Sequence, residues 1–271
     1  MAATAIGVVV LLVLGYDTIN QGAARLDVDF LTSYPSRFAD QAGLRSSILG
    51  TVWVLGATIM MAIPIGVGTA IWIEEFGPKN WLTRFVQLNL ANLAGVPSII
   101  YGILGLTIFV RFYDLGPSII AGALTLALMI IPMTVIASQE AIRQVPSSLR
   151  DGALALGATR WEAVRRNVLP VAMPGIMTGI ILAISRAAGE TAALIMVGAF
   201  TFIAFDPTLN PPWQGLQEDF TTLPIQVYNW TIRPQEEFRQ NAAAAIIVLM
   251  VGVLTLNLIA AFIRERFRPS L

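Results

Sequence analysis

Residues 139–170 read Gln-Glu-Ala-Ile-Arg-Gln-Val-Pro-Ser-Ser-Leu-Arg-Asp-Gly-Ala-Leu-Ala-Leu-Gly-Ala-Thr-Arg-Trp-Glu-Ala-Val-Arg-Arg-Asn-Val-Leu-Pro. The stretch is too polar to cross a bilayer, yet its apolar residues recur at helical spacing. Pro146 ends whatever precedes it, because proline lacks an amide proton and crowds the preceding turn. Ser148 with Asp151 three residues on resembles a helix-capping pair, and Leu149, Ala153 and Leu156 then share one face. Gly157 suits a helix stop. Thr159 with Glu162 makes a second capping box, followed by an apolar face of Trp161, Val164 and Val168. The spacing predicts two short amphipathic helices joined by a glycine turn. The apolar face of such a hairpin needs cover from lipid, from its own bundle or from a partner.

On either side of this stretch the chain turns strongly apolar. A crossing helix needs ~20 mainly apolar residues. The pattern predicts six, at about 2–16, 47–73, 86–110, 118–137, 171–205 and 242–263. The first is short but has no basic n-region and no clear cleavage site, so it reads as a span rather than a signal peptide. Prolines interrupt three spans, at Pro64, Pro97 and Pro132. Each removes a backbone hydrogen bond that lipid cannot replace, so each is either a packed kink or a wall of a pathway.

Across 271 residues the chain is 56% hydrophobic and 13% charged, with zero net charge, which fits a membrane protein and gives nothing that suggests nucleic acid as a partner. It holds no cysteine and no histidine. That removes thiol nucleophiles, disulfides, the usual zinc sites and histidine bases, and no catalytic or metal-ligating set is predicted. There is no phosphate loop of the G-x-x-x-x-G-K-[S/T] type, so any ATP that drives this chain is hydrolysed by another. With the N-terminus inside, the cytoplasmic segments hold Lys79, Arg84, Arg143, Arg150, Arg160, Arg165, Arg166, Arg264, Arg266 and Arg268, against Arg25, Arg37, Arg45, Arg111, Arg233 and Arg239 outside. That asymmetry favours both termini in the cytoplasm.

Two charges fall inside the fifth span. Arg186 and Glu190 are four apart, which on one helix places them on a shared face. With a helix starting near Pro174, Arg186 lies ~18 Å along it, past the middle of the membrane core. Charges at such depth cost at least ~2.5 kcal/mol each, so they meet water or partners. One reading is a structural pair that neutralises itself. The other is an anion contact, since the planar guanidinium fork offers two parallel donors to a tetrahedral oxyanion. On that reading Glu190 competes for the guanidinium and keeps the site weak enough for release. Ser185 and Thr191 add donors, and Ser98 and Tyr101 in the third span are further candidates.

The hairpin resembles the coupling loop of permease subunits in binding-protein-dependent ABC importers, whose pattern is E-A-A, three residues, G, nine residues, I, one residue, L-P. It aligns as Asp151-Gly152-Ala153, Gly157, Asn167 and Leu169-Pro170, departing at Asp151, Gly152 and Asn167. Further segments resemble the A-type (PstA-like) permease subunits of phosphate importers: 48–51, 62–66, 94–102, Arg186-Ala187-Ala188-Gly189-Glu190-Thr191-Ala192, and Leu223-Pro224-Ile225-Gln226-Val227-Tyr228-Asn229-Trp230. The resemblance implies an all-α membrane protein of six transmembrane helices, a MetI-like type I ABC importer permease bundle. It implies a single permease domain over 1–271, with a core of about 44–264 and the coupling loop at about 139–170. Asp151, Gly152, Ala153, Gly157, Thr159, Arg160, Trp161 and Glu162 would then meet the ATPase.

Its implied partners are a related second permease, ATP-binding subunits, an external phosphate-binding protein and membrane lipid, with no nucleic acid. It implies no cofactor on this chain, ATP and Mg being held by the ATPase subunits. It also implies no enzymatic activity of its own and a place in the cytoplasmic membrane. The expected function is phosphate import by alternating access. The alternatives are a permease for sulfate or molybdate, an ATP-independent carrier, or an assembly subunit.

Overall fold

The computed structural model describes residues 2–200 and 202–266. Among them the chain is almost wholly helical, with a single isolated bridge, Ser118 to Asp219, and no strand. Five helices are long and apolar enough to cross a membrane: Thr4–Arg25, Arg45–Phe76, Ile119–Arg143, Arg160–Ala188 and Glu237–Arg266. A bent pair, Trp81–Ala94 and Ser98–Phe112, meets at 103° and supplies the sixth crossing when counted as one.

The expected spans are all present, and three differ in form. The third is not a straight helix over 86–110, because it breaks at Gly95-Val96-Pro97. Pro97 pushes the residue before it out of the helical region, and Gly95 offers no side chain to hold a helix there. By contrast Pro64 and Pro132 lie inside continuous helices. The first span runs well past residue 16, because Asp17 and Gln21 pair one turn apart at 2.7 Å instead of ending the helix. The fifth helix stops at Ala188 rather than running on to 205, and at its other end it begins inside the hairpin, at Arg160.

The chain divides into two compact units. One comprises Met1–Val54, Gly102–Gly122 and Glu190–Leu254. Its core gathers Phe30, Leu44, Trp230 and Phe238, with Trp230 5.8 Å from Phe30 and 6.3 Å from Phe238 between ring centres. Arg25 closes this core, stacking 4.9 Å over Phe30 and donating to Asn241 and to the carbonyls of Asp40 and Ala42. The run from Leu223 that resembled phosphate permeases forms a short helix here, Leu223–Thr231, with Gln226 and Trp230 fully buried. Its first amide donates to the Thr51 hydroxyl at 2.8 Å.

The other unit comprises Leu55–Tyr101, Ala123–Gly189 and Thr255–Leu271. Its core is aliphatic: Ala70, Ile73, Val135, Ile142, Val145, Val168, Ala172 and Ile176. The fourth and fifth spans approach closely along small residues. A side chain on Gly175 would meet Ala141, and one on Gly179 would collide with Ala137. Such contacts let helices associate where lipid removes the hydrophobic drive. Large apolar residues elsewhere remain uncovered, among them Leu11, Leu12, Leu258 and Phe262. Long apolar helices exposed in this way match a lipid surroundings, not water.

Candidate functional site

The hairpin is built from local chemistry. Its first arm is the helix Ser147–Ala155, which has no buried residue. Pro146 stands at its N-cap and no side chain caps it, so the expected Ser148–Asp151 pair is not formed. Ser148 lies inside the helix, two positions past the N-cap, where its side chain cannot cap it. The arm ends in a Schellman motif: the Ala158 amide donates to the Ala153 carbonyl at 3.1 Å, and the Gly157 amide to Leu154 at 3.0 Å. Gly157 has φ +85°, a left-handed conformation that favours glycine. The Thr159–Glu162 capping box is complete, with the Thr159 amide donating to Glu162 Oε2 at 2.9 Å and the Glu162 amide donating to Thr159 Oγ1 at 3.3 Å.

The second arm is not a separate short helix. Arg160–Ala163 passes through a wider i→i+5 turn, Val164–Val168, into the span Leu169–Ala188. Pro170 has no amide to return and its ring crowds the carbonyl four residues back, and the wide turn next to it relieves that conflict. Val164 and Val168 are buried, whereas Leu156 is 91% exposed and Trp161 53% exposed. Asp151, Gly152 and Arg160 are exposed, and Ala153 is half-buried. A cleft of about 580 Å³ lies against both arms, lined by Leu149, Gly152, Ala153, Gly157, Glu162 and Asn167 among others.

The expected pathway residues separate into two groups. Arg186 lies in the last turn of its helix, where the unpaired carbonyls favour a cation. Its side chain is exposed, and Nη1 donates to the Met133 sulfur at 2.8 Å. No carboxylate is ion-paired with it among the described residues. Ser185 donates to the Ile181 carbonyl at 2.8 Å, and its oxygen lies 2.6 Å from Asn257 Oδ1. Glu190 and Thr191 lie beyond the helix end, so Arg186 and Glu190 do not share a helix face as expected. Glu190 instead accepts the Ala193 amide at 3.1 Å, capping the short helix Ala192–Val197. Tyr101 is buried and donates to the Leu93 carbonyl at 2.7 Å, bridging the break in the third span. Ser98, half-buried, opens the helix after that break.

Residues 62–271 match the family described as binding-protein-dependent transport system inner membrane component. The chain belongs to that family. It is a permease subunit of an ABC importer and an integral inner-membrane protein. It is 32% identical over 271 residues to the probable ABC transporter permease protein YqgI of Bacillus subtilis (strain 168), covering 97% of this chain and 91% of the relative. It is 33% identical over 231 residues to the phosphate transport system permease protein PstA 1 of Mycobacterium tuberculosis (strain CDC 1551 / Oshkosh), covering 85% of this chain and 72% of that one. Among solved structures it resembles the MetNI methionine ABC transporter in an inward-facing conformation, with TM-score 0.60 over 81% of this chain and 95% of the other. At 17% identity that likeness is one of fold, the MetI-type importer permease fold.

Two features of this permease escaped the sequence reading. Asn257 is a lone amide in the apolar sixth span, a signal available from composition alone. Glu74 and Glu75, in the wide turn Trp72–Phe76 that ends the second span, join it to the fourth span and to the hairpin.

Proposed function

We propose that this permease forms one half of a transmembrane pathway through which an ATP-driven importer moves inorganic phosphate by alternating access. The observation that carries the reading is Arg186, an exposed guanidinium at the end of an apolar span with a thioether contact and no carboxylate partner among the described residues. A thioether is a weak acceptor, so most of its five N–H donors stay open. Inside a membrane such donors call for water or an anion. Tyr101, Ser185 and Asn257 add polar groups in the same unit. Relatives named as phosphate transport permeases favour phosphate over sulfate or molybdate, which guanidinium geometry alone does not separate.

In this reading the hairpin lies in the cytoplasm with both termini. Asp151, Gly152, Ala153, Gly157, Thr159, Arg160, Trp161 and Glu162 meet an ATP-binding subunit, which covers the exposed Leu154 and Leu156. ATP and Mg are held there, and this chain carries no cofactor. A related second permease completes the pathway, and an external binding protein delivers phosphate.

The test is ATP-driven phosphate uptake in proteoliposomes holding the complete complex, with assembly checked for each variant. Arg186→Met abolishes uptake whether or not Glu190 is changed, and Arg186→Lys keeps charge but loses the fork, leaving partial uptake. Glu190→Gln retains uptake, because an amide oxygen still accepts the Ala193 amide. Full uptake by the Arg186→Met, Glu190→Gln double variant would overturn the reading. Inhibition by sulfate or molybdate equal to that by phosphate would change the substrate, and uptake without ATP would indicate a carrier.

A further inference from the structure

Three consecutive residues at the end of the second span reach three different elements. Glu74 accepts from Gln139 at 2.8 Å and from Arg143 at 2.7 Å, both in the fourth span. Glu75 accepts from Arg150 of the first arm, with Nη2 at 2.6 Å and Nε at 2.9 Å. Phe76 lies 6.2 Å from Trp161 of the second arm, and the Arg160 guanidinium stands 5.5 Å from the Phe76 ring centre. The wide turn Trp72–Phe76 lets adjacent side chains serve neighbouring contacts that a regular helix would spread further around its axis.

The Glu75–Arg150 contact is unusual for a surface hairpin. The Glu75 side chain is only 7% exposed. Arg150 also donates to the carbonyls of Val145 at 2.9 Å and Ile142 at 3.1 Å, so each of its three guanidinium nitrogens donates. Buried ion pairs add little net stability, and an apolar contact would hold a resting hairpin as well. The first arm, however, buries no residue of its own. Its covalent route to the fourth span passes through Pro146, whose backbone is not helical. The ionic clasp is therefore the side-chain tie that joins the first arm to the second span.

We propose that Glu75 and Arg150 are positioning residues of the coupling step. They join the first arm to the second span, so that displacement of the hairpin carries the second and fifth spans together. The proposal rests on reading the hairpin as the ATPase-coupling element.

The experiment measures ATP hydrolysed and phosphate taken up in the same proteoliposomes, using the complete complex. Glu75→Gln and Arg150→Lys keep size and assembly, and hydrolysis continues. Phosphate moved per ATP falls at least ~5-fold, the lower end of ordinary coupling between sites. Because the chain holds no cysteine, a Glu75→Cys, Arg150→Cys variant can be bridged by a short bifunctional methanethiosulfonate reagent and released by reductant. Bridging restores phosphate moved per ATP and reductant removes it again. This arm decides the case in which the single variants assemble poorly. An unchanged ratio in assembled Glu75→Gln and Arg150→Lys, or a bridge that restores nothing, overturns the proposal. Gly157→Val is measured alongside. If it too leaves the ratio unchanged, the coupling reading itself falls. If it uncouples while the pair variants do not, only the clasp falls.

Discussion

Replacing Gly157 probes the hairpin at its tightest point and separates backbone from side-chain effects. The residue has φ +85°, and no atom lies within 4 Å of where a side chain would begin. A substitution there meets no clash, so its cost is conformational. A left-handed backbone costs an ordinary L-residue ~1–2 kcal/mol, less for asparagine and more for a β-branched residue. Gly157→Asn is then mildest, Gly157→Ala costs about 1 kcal/mol, and Gly157→Val at least ~2 kcal/mol. At ~1.4 kcal/mol per factor of ten, the native turn loses about 5-fold against open forms with alanine and about 30-fold with valine. The hairpin turn is exposed, so thermal unfolding changes little while phosphate moved per ATP falls in the order Asn, Ala, Val. Side-chain bulk predicts a different order, because asparagine is larger than alanine. A Gly157→Asn complex more impaired than Gly157→Ala would refute the backbone argument.

Gly179→Leu places a side chain into Ala137 of the fourth span; the helices are expected to part, at ~1–3 kcal/mol or more, read as a lower unfolding temperature in detergent. Single cysteines at Gln144 or Arg160 are expected to react with a membrane-impermeant reagent only from the cytoplasm, and at Gln217 or Gln235 only from outside; reaction of Gln217 from within would reverse the topology. Hydrogen bonds from Arg45 hold the Asp206 carboxyl below its usual range, with burial opposing them. A carboxyl depressed in the folded state contributes above its unfolded pKa and loses that contribution as pH falls through the folded value. The pair is partly exposed, at 45% and 28%, so solvent screens it and the loss is small. Acid titration of unfolding is expected to show it in the native chain and not in Asp206→Asn.

The parts of the fold that were legible rest on short-range patterns. Apolar runs of ~20 residues announce crossings whatever surrounds them. The Thr159–Glu162 box and the Gly157 turn need only residues within one turn of each other, and both formed. The Ser148–Asp151 pair has the same spacing yet failed, because Pro146 already begins the helix and leaves Ser148 inside it. Hydropathy averages over a window, so it passed over the break at Gly95–Pro97 and the end of the fifth helix before Gly189. Spacing alone put Arg186 and Glu190 on one face, but spacing implies a face only while the helix continues. The Glu75–Arg150 clasp spans 75 residues of sequence and leaves no periodic trace.

From Arg160 to Arg186 the backbone is one hydrogen-bonded rod, about 39 Å long at ~1.5 Å per residue. A helix of this kind resists twisting about its axis, so its two ends keep a set angular phase. Rolling the end that carries Trp161 and Glu162 turns the guanidinium at the far end through a matching angle. Any roll of the second arm would therefore change the bearing of Arg186, as turning one end of an axle turns the other. Phase also fixes length. One residue gained or lost between the two ends would swing the guanidinium by ~100°, so this segment tolerates substitution far better than insertion or deletion.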